Sequence, residues 1–241
     1  VDKETSSTNN NTTNNNNNDG MSSRETTVSE LLQLDEIEST GPGEDSVYVE
    51  NSIISDPYGD AGEYTGEVLL LSTDKPHGMG TMKYQDGRTY AGGWKNGQWH
   101  GKGVAMFSNG DQFDGTYDLD RRHGFGTYQW KDGRVYEGEF HSDQRQGCGE
   151  YRWPDGAVYR GEFMGGHREG EGTYTFADGS AYTGEWSKGR YHGVGQCKWK
   201  DGRTYKGEWK EGKAHGFGVE KRSNGTIRHE GMWEHDHPVR K

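Results

Sequence analysis

Residues 182–203 read YTGEWSKGRYHGVGQCKWKDGR, with two Trp, two Tyr, a His, a Cys and five Gly in twenty-two positions. Taken alone, such a density of rings and reactive side chains beside glycines resembles an active site. The rest of the chain decides otherwise, because the stretch recurs. Tyr90, Phe113, Tyr136, Tyr159, Tyr182 and Tyr205 follow one another at intervals of 23 residues. Two positions after each comes Gly (92, 115, 138, 161, 184, 207), and two further an aromatic: Trp94, Tyr117, Phe140, Phe163, Trp186 and Trp209. Six positions on stand His100, His123, Gln146, Glu169, His192 and His215, each followed by Gly-x-Gly. Every unit closes on Asp-Gly or Asn-Gly. A first copy at 64–89 carries three extra residues before His77, and an eighth breaks off after Gly231 and Trp233. A strict period of this length marks an array built from one small unit.

The unit reads as two antiparallel strands. In Tyr-x-Gly-x-Trp the rings and the glycine fall on one side of a strand, because side chains alternate with period two. The glycine leaves a slot between two rings that a neighbouring ring can fill. His-Gly-x-Gly opens a second extended stretch, and Asp-Gly or Asn-Gly before the next aromatic run predicts a type I′ hairpin turn. The expected fold is all-β: an elongated, single-layer antiparallel meander of about seven 23-residue hairpins and about fourteen strands, spanning 64–233.

These residues resemble the MORN (membrane occupation and recognition nexus) repeat, Y-x-G-x-W-x-x-G-x-x-H-G-x-G. Tyr182, Gly184, Trp186, Gly189, His192, Gly193 and Gly195 meet the pattern position by position, as do Tyr205, Gly207, Trp209, Gly212, His215, Gly216 and Gly218. Gln146 and Glu169 depart from it at the His position, and Val68 replaces the Trp of the first unit. The resemblance implies a non-catalytic scaffold for protein–protein interaction, with a membrane surface or a ciliary or cytoskeletal assembly as settings. It implies two alternatives: a phospholipid-binding regulatory module, or the repeat region of a phosphatidylinositol phosphate kinase whose catalytic domain is absent here.

Composition agrees with a thin, ring-built core. Of 241 residues only 27% are hydrophobic, while 40 are Gly, 8 Trp and 14 Tyr, against about 7% Gly and nearly half apolar residues in an average chain. The longest aliphatic run, Val68-Leu69-Leu70-Leu71, is far short of the ~20 residues of a membrane span, and residues 1–20 lack the form of a signal peptide. A cytoplasmic protein is expected, and Val1 in place of an initiator Met suggests a fragment. Residues 1–63 hold 14 acids and 2 bases, a charge of −12, so the whole net charge of −11 lies there and the rest of the chain is +1. The Asn-rich start predicts a disordered acidic leader. Within it, a capping box at Thr27–Glu30 and apolar Val28, Leu31, Leu32, Leu34 and Ile37 predict a short helix over 28–38. That helix is expected to fold back on basic repeats of the same chain. Residues 234–241 read as a tail.

The chemical readings fail on geometry. Equivalent side chains of adjacent units lie two strands, or ~9.6 Å, apart, too far for two histidines to share a zinc with ~2.1 Å bonds. Cys148 and Cys197 are about two units, or ~19 Å, apart, beyond disulfide reach, so both are expected as free thiols. Gly-x-Gly has no helix behind it to form a phosphate site, and the carboxylates read as scattered over solvent-facing positions. Neither catalytic nor metal-binding residues are nominated, and no cofactor is expected.

What remains is surface. Units at 113–181 carry 13 acids and 8 bases, whereas 182–227 carry 5 acids and 10 bases. The basic set is Lys188, Arg190, Lys198, Lys200, Arg203, Lys206, Lys210, Lys213, Lys221 and Arg222. Protein segments or anionic phospholipids are its expected partners. Nucleic acid is not expected, because the rings are committed to packing. Self-association is left open, as is the face these bases share.

Overall fold

The computed structural model describes residues 45–239; the helix expected at 28–38 lies outside them. The described chain forms seventeen strands: β1 (Ser46–Ser55), β2 (Ala61–Leu69), β3 (Ser72–Tyr84), β4 (Thr89–Lys95), β5 (Gln98–Met106), β6 (Gln112–Asp118), β7 (Arg121–Gln129), β8 (Val135–His141), β9 (Gln144–Arg152), β10 (Val158–Met164), β11 (His167–Thr175), β12 (Ala181–Ser187), β13 (Arg190–Lys198), β14 (Thr204–Lys210), β15 (Lys213–Lys221), β16 (Ile227–Glu234) and β17 (His237–Pro238). Each pairs antiparallel with its chain neighbour, from β1–β2 through β16–β17, so one sheet is built as an unbroken meander. The described residues include no helix, and so none long and apolar enough to cross a membrane.

The sheet exceeds the expected fourteen strands at both ends. β1 lies inside the segment read as leader. Its Val47 and Val49 pack against the core and Ile54 is buried, so β-branched residues outside the repeat pattern still find an apolar face. At the other end the eighth unit turns at His235 and Asp236 and adds β17 from the expected tail.

The two kinds of turn are the reverse of the expectation. At Asp-Gly the φ angle is positive only at glycine, as in Gly87 (φ 89°), and Gly87 N–H donates to Tyr84 O while Tyr84 N–H donates to Arg88 O. This is the three-residue loop in which an αL glycine follows a type I turn. The two-residue turns with positive φ at both positions, which define type I′, join the other strand pair. They include Asn96-Gly97, Leu119-Asp120, Ser142-Asp143 and Lys188-Gly189.

One row of the sheet is glycine throughout. Gly66, Gly80, Gly92, Gly103, Gly115, Gly126, Gly138, Gly149, Gly161, Gly172, Gly184, Gly195, Gly207, Gly218 and Gly231 pair in turn from β2 to β16. The slot over this row is filled by the hairpin's own Tyr, not by a neighbour's ring. The Tyr182 ring lies over Gly195, where a methyl group would overlap it, and a methyl at Gly149 would meet the Tyr136 ring at 2.6 Å. The phenol then donates across the strand end: Tyr136 Oη to Glu139 O at 2.9 Å, Tyr182 Oη to Glu185 O at 2.8 Å. Each Trp clamps the preceding unit, Trp186 Nε1 donating to Gly172 O and Trp209 Nε1 to Gly195 O at 3.1 and 3.2 Å. Edge-to-face contacts between them, such as Tyr159–Trp186 at 5.1 Å and Tyr182–Trp209 at 5.3 Å, make a continuous ring ladder on one face.

Candidate functional site

The opposite face shows why the unit needs its polar signature. The first glycine of His-Gly-x-Gly has positive φ, 52° at Gly193 and 60° at Gly216, and the register shifts beside it, between Gly184 and Trp186 on the partner strand. A glutamate fills the space a side chain there would take and accepts the next N–H. Glu185 Oε1 accepts from Val194 N at 2.8 Å and Glu208 Oε1 from Phe217 N at 2.9 Å, with Glu139 serving Cys148 alike. These carboxylates are tied into the fold and not merely scattered. Glu220 is a second exception: it is buried on the ring-bearing face, 2.8 Å from Arg228.

The His position reaches the turn of the following unit. His77 Nδ1 accepts from Asn96 N at 3.3 Å, Gln146 Oε1 from Gly165 N at 3.2 Å, and Glu169 Oε2 from Lys188 N at 2.7 Å. An acceptor of suitable length suffices, which accounts for Gln and Glu at a His position. The Lys188 N–H, contributing most, and the Ser187 hydroxyl lower the Glu169 carboxyl from its ordinary value.

A variable position on the ring-bearing face is the second residue of the strand after each type I′ turn. It holds Trp99, Arg122, Arg145, Arg168, Tyr191 and Ala214 in successive units, each paired opposite the Trp, Tyr or Phe of its own hairpin. Trp99 and Tyr191 stack on Tyr90 and Tyr182 at 4.3 and 3.8 Å. The arginines put a guanidinium in the same place. Arg145 lies 5.7, 5.3 and 5.4 Å from the Tyr136, Tyr151 and Phe163 rings, and Arg168 lies 5.6, 5.4 and 4.4 Å from Tyr159, Tyr174 and Trp186. Burial pulls both below the usual arginine range. A shallow, open depression begins at Arg168 and is walled by Tyr174, Phe176, Trp186, Arg190 and Tyr191.

A sequence model of the MORN repeat matches seven segments, 74–87, 90–112, 113–133, 136–158, 159–181, 182–202 and 205–227, more than half of the chain. The chain belongs to the MORN-repeat family. No curated protein matches this MORN chain as a relative. Among solved structures, the SAS-4 (dCPAP) TCP domain of Drosophila melanogaster, in complex with a proline-rich motif of Ana2 (dSTIL), is 12% identical, with 65% of this chain and 85% of that one covered and a TM-score of 0.40. The G-box domain of the microcephaly protein CPAP is 11% identical, with 73% and 96% covered and a TM-score of 0.41. Similarity at this level assigns no partner.

The structure divides the basic set of the MORN array. Lys198, Lys206, Lys210, Lys213 and Lys221 stand on the face away from the rings, as their pairing with Thr204, Gln196 and one another requires, whereas Arg190 pairs with Ser187 at the end of its strand and borders the depression. On that face Val194, Phe217 and Met232 are exposed beside them. Lys188 lies in a type I′ turn; Lys200, Arg203 and Arg222 lie in the Asp-Gly and Asn-Gly loops. Arg203 is held 2.7 Å from Asp201 and over the Trp199 ring at 5.1 Å. The repeat positions Tyr182, Gly184, Trp186, Gly195, Tyr205, Gly207, Trp209 and Gly218 belong to the ring-bearing face, whereas His192, Gly193, His215 and Gly216 border the bulge. Reasoning from charge totals missed Arg122, Arg145 and Arg168, because their units are acidic overall. Their own spacing of 23 was the available signal.

Proposed function

We propose that the array is a non-catalytic scaffold that holds an extended segment of a partner protein along its ring-bearing face. The observation that carries this reading is the open depression at Arg168, Trp186 and Tyr191, where rings and a guanidinium line one shallow surface. Such surfaces suit extended peptides, which present side chains to aromatic walls. The test is a synthetic peptide array probed with the full chain and with Tyr191→Ala and Trp186→Ala. Binders that weaken about tenfold or more in both variants support the reading, since tenfold is ~1.4 kcal/mol. Binding untouched by both variants overturns it.

A second reading rests on the other face. Val194, Phe217 and Met232 beside Lys198, Lys206, Lys210, Lys213 and Lys221 combine apolar side chains with cations, the pattern of attachment to an anionic lipid surface. Flotation with phosphatidylserine vesicles separates the two. Vesicle binding lost in Lys206→Glu/Lys210→Glu and in Phe217→Ser, but retained in Tyr191→Ala, favours lipid.

A further inference from the structure

Arg122, Arg145 and Arg168 occupy one slot in three successive units, on β7, β9 and β11. Each braces the following hairpin. Nη2 donates to a turn carbonyl 21 residues on: Asp143 O at 3.2 Å, Gly166 O at 2.6 Å and Gly189 O at 2.9 Å. The three then part company. Arg122 also meets a carboxylate, Asp143 Oδ1, at 2.9 Å. In the next two units the turn residue at that place is Gly166 or Gly189, so the counter-ion has gone with the side chain. Among the described residues neither Arg145 nor Arg168 has an ion pair.

A guanidinium carries five N–H donors. One is spent on the turn carbonyl, and the Tyr151 hydroxyl is a further but neutral acceptor beside Arg145, so neither guanidinium meets a negative charge. A half-buried cation without a counter-ion is unfavourable unless an anion completes it, and a carboxylate matches its fork best. The depression opens beside Arg168.

Spacing selects the ligand's backbone. Equivalent positions two strands apart are ~9.6 Å apart. In a polyproline-II segment residues three apart share a side and lie ~9.3 Å apart. In a β-extended segment residues three apart face opposite ways. An α-helix comes near this distance only between residues seven apart, at ~10.5 Å. The aromatic walls, Tyr151, Tyr174 and Trp186, suit proline rings.

We infer that Arg145 and Arg168 form a paired site that reads two acidic side chains three residues apart on a polyproline-II segment of a partner protein, lying across β9 to β11. This rests on the ring-bearing face being the binding face, as proposed above.

The probes are three twelve-residue peptides: a Glu-Pro-Pro repeat, a Gln-Pro-Pro repeat, and one with the composition of the first but its glutamates grouped at one end. Binding to the full chain is read by fluorescence anisotropy and thermal stability by melting. The Glu-Pro-Pro repeat is expected to bind at least tenfold tighter than the other two. Arg145→Gln/Arg168→Gln should erase that difference, while Arg122→Gln, whose cation is already paired, should leave it. A purely structural role would shift the melting temperature without changing the ranking of the peptides. If all three bind alike and Tyr191→Ala weakens them alike, the inference is overturned and the broader reading survives. If none binds, the inference is overturned, and the peptide array decides the broader reading separately.

Discussion

The units at 136–181 and the unit at 182–204 share a backbone and differ most in charge at one slot of the ring-bearing face. In the later unit Tyr191 stacks on Tyr182 at 3.8 Å with planes 15° apart, which buries apolar area and leaves no charge to solvate. In the earlier two, Arg145 and Arg168 stand there, pulled down by burial. Ring contacts return part of that cost, at roughly 0.5–2 kcal/mol for a cation over a ring. A slot that accepts a neutral ring elsewhere does not need a cation to be packed, although each guanidinium here also braces the next turn. The difference separates residues that build the repeat from residues this chain adds to it.

The largest effect should be blind to the difference. Gly149→Ala in the arginine region and Gly195→Ala in the ring region each push a methyl group into a buried Tyr ring. Each should cost about 3 kcal/mol or more, because neither the backbone nor the stacked ring can retreat. Urea midpoints measure this. A tolerated Gly149→Ala beside a damaging Gly195→Ala would mean that the two regions differ in packing, not just in one slot.

Exchanging the slot residues comes next. Tyr191→Arg should destabilise by about 2 kcal/mol, losing a stacked pair and gaining an unpaired half-buried charge. The reverse change, Arg145→Tyr, should stabilise by about 1 kcal/mol by stacking on Tyr136. Loss of stability in Arg145→Tyr would show the arginine to be a structural brace first.

Alkaline titration sharpens the point. Burial raises the phenols of Tyr136, Tyr159, Tyr182 and Tyr191, while Arg145 and Arg168 oppose part of the rise in Tyr136 and Tyr159. An unfolded Tyr ionises near ~10. Above that pH the unfolded chain releases protons that the folded chain keeps, so stability should fall as pH rises past ~10 and be flat in this respect below ~9. Denaturation at a series of pH values, with absorbance of the phenolate, follows it. Phenolate signal appearing before unfolding would contradict the buried ladder.

The smallest effect is on reactivity. Cys148 is exposed opposite the rings, whereas Cys197 is buried among them, its thiol pushed up to about 11 by burial. A thiol reagent at pH 8 should label Cys148 at least roughly tenfold faster. Equal rates would mean that β13 opens readily.

Much was legible in the chain itself because it is written seven times. The alternation Tyr205-Gly207-Trp209 against Lys206-Glu208-Lys210 placed rings and charges on opposite faces before any coordinates, since strand side chains alternate. Position 185 was harder. A glutamate in an exposed strand looks like solvated surface until its partner, the Val194 N–H, is seen across a bulge. β1 escaped for another reason: Val47, Val49 and Ile54 follow no period of 23, and their burial depends on β2.

Sequence alone determined the repeat, its hairpin, the ring-bearing face and the MORN family, because each follows from spacing within a short stretch of chain. Tertiary structure decided which cations are free. Whether an arginine has a counter-ion depends on a residue 21 positions on, in the next unit's turn, brought beside it only by strand pairing: Asp143 for Arg122, Gly166 for Arg145, Gly189 for Arg168. A charge total averages over such pairs, and coulombic pairing is decided at a few ångströms.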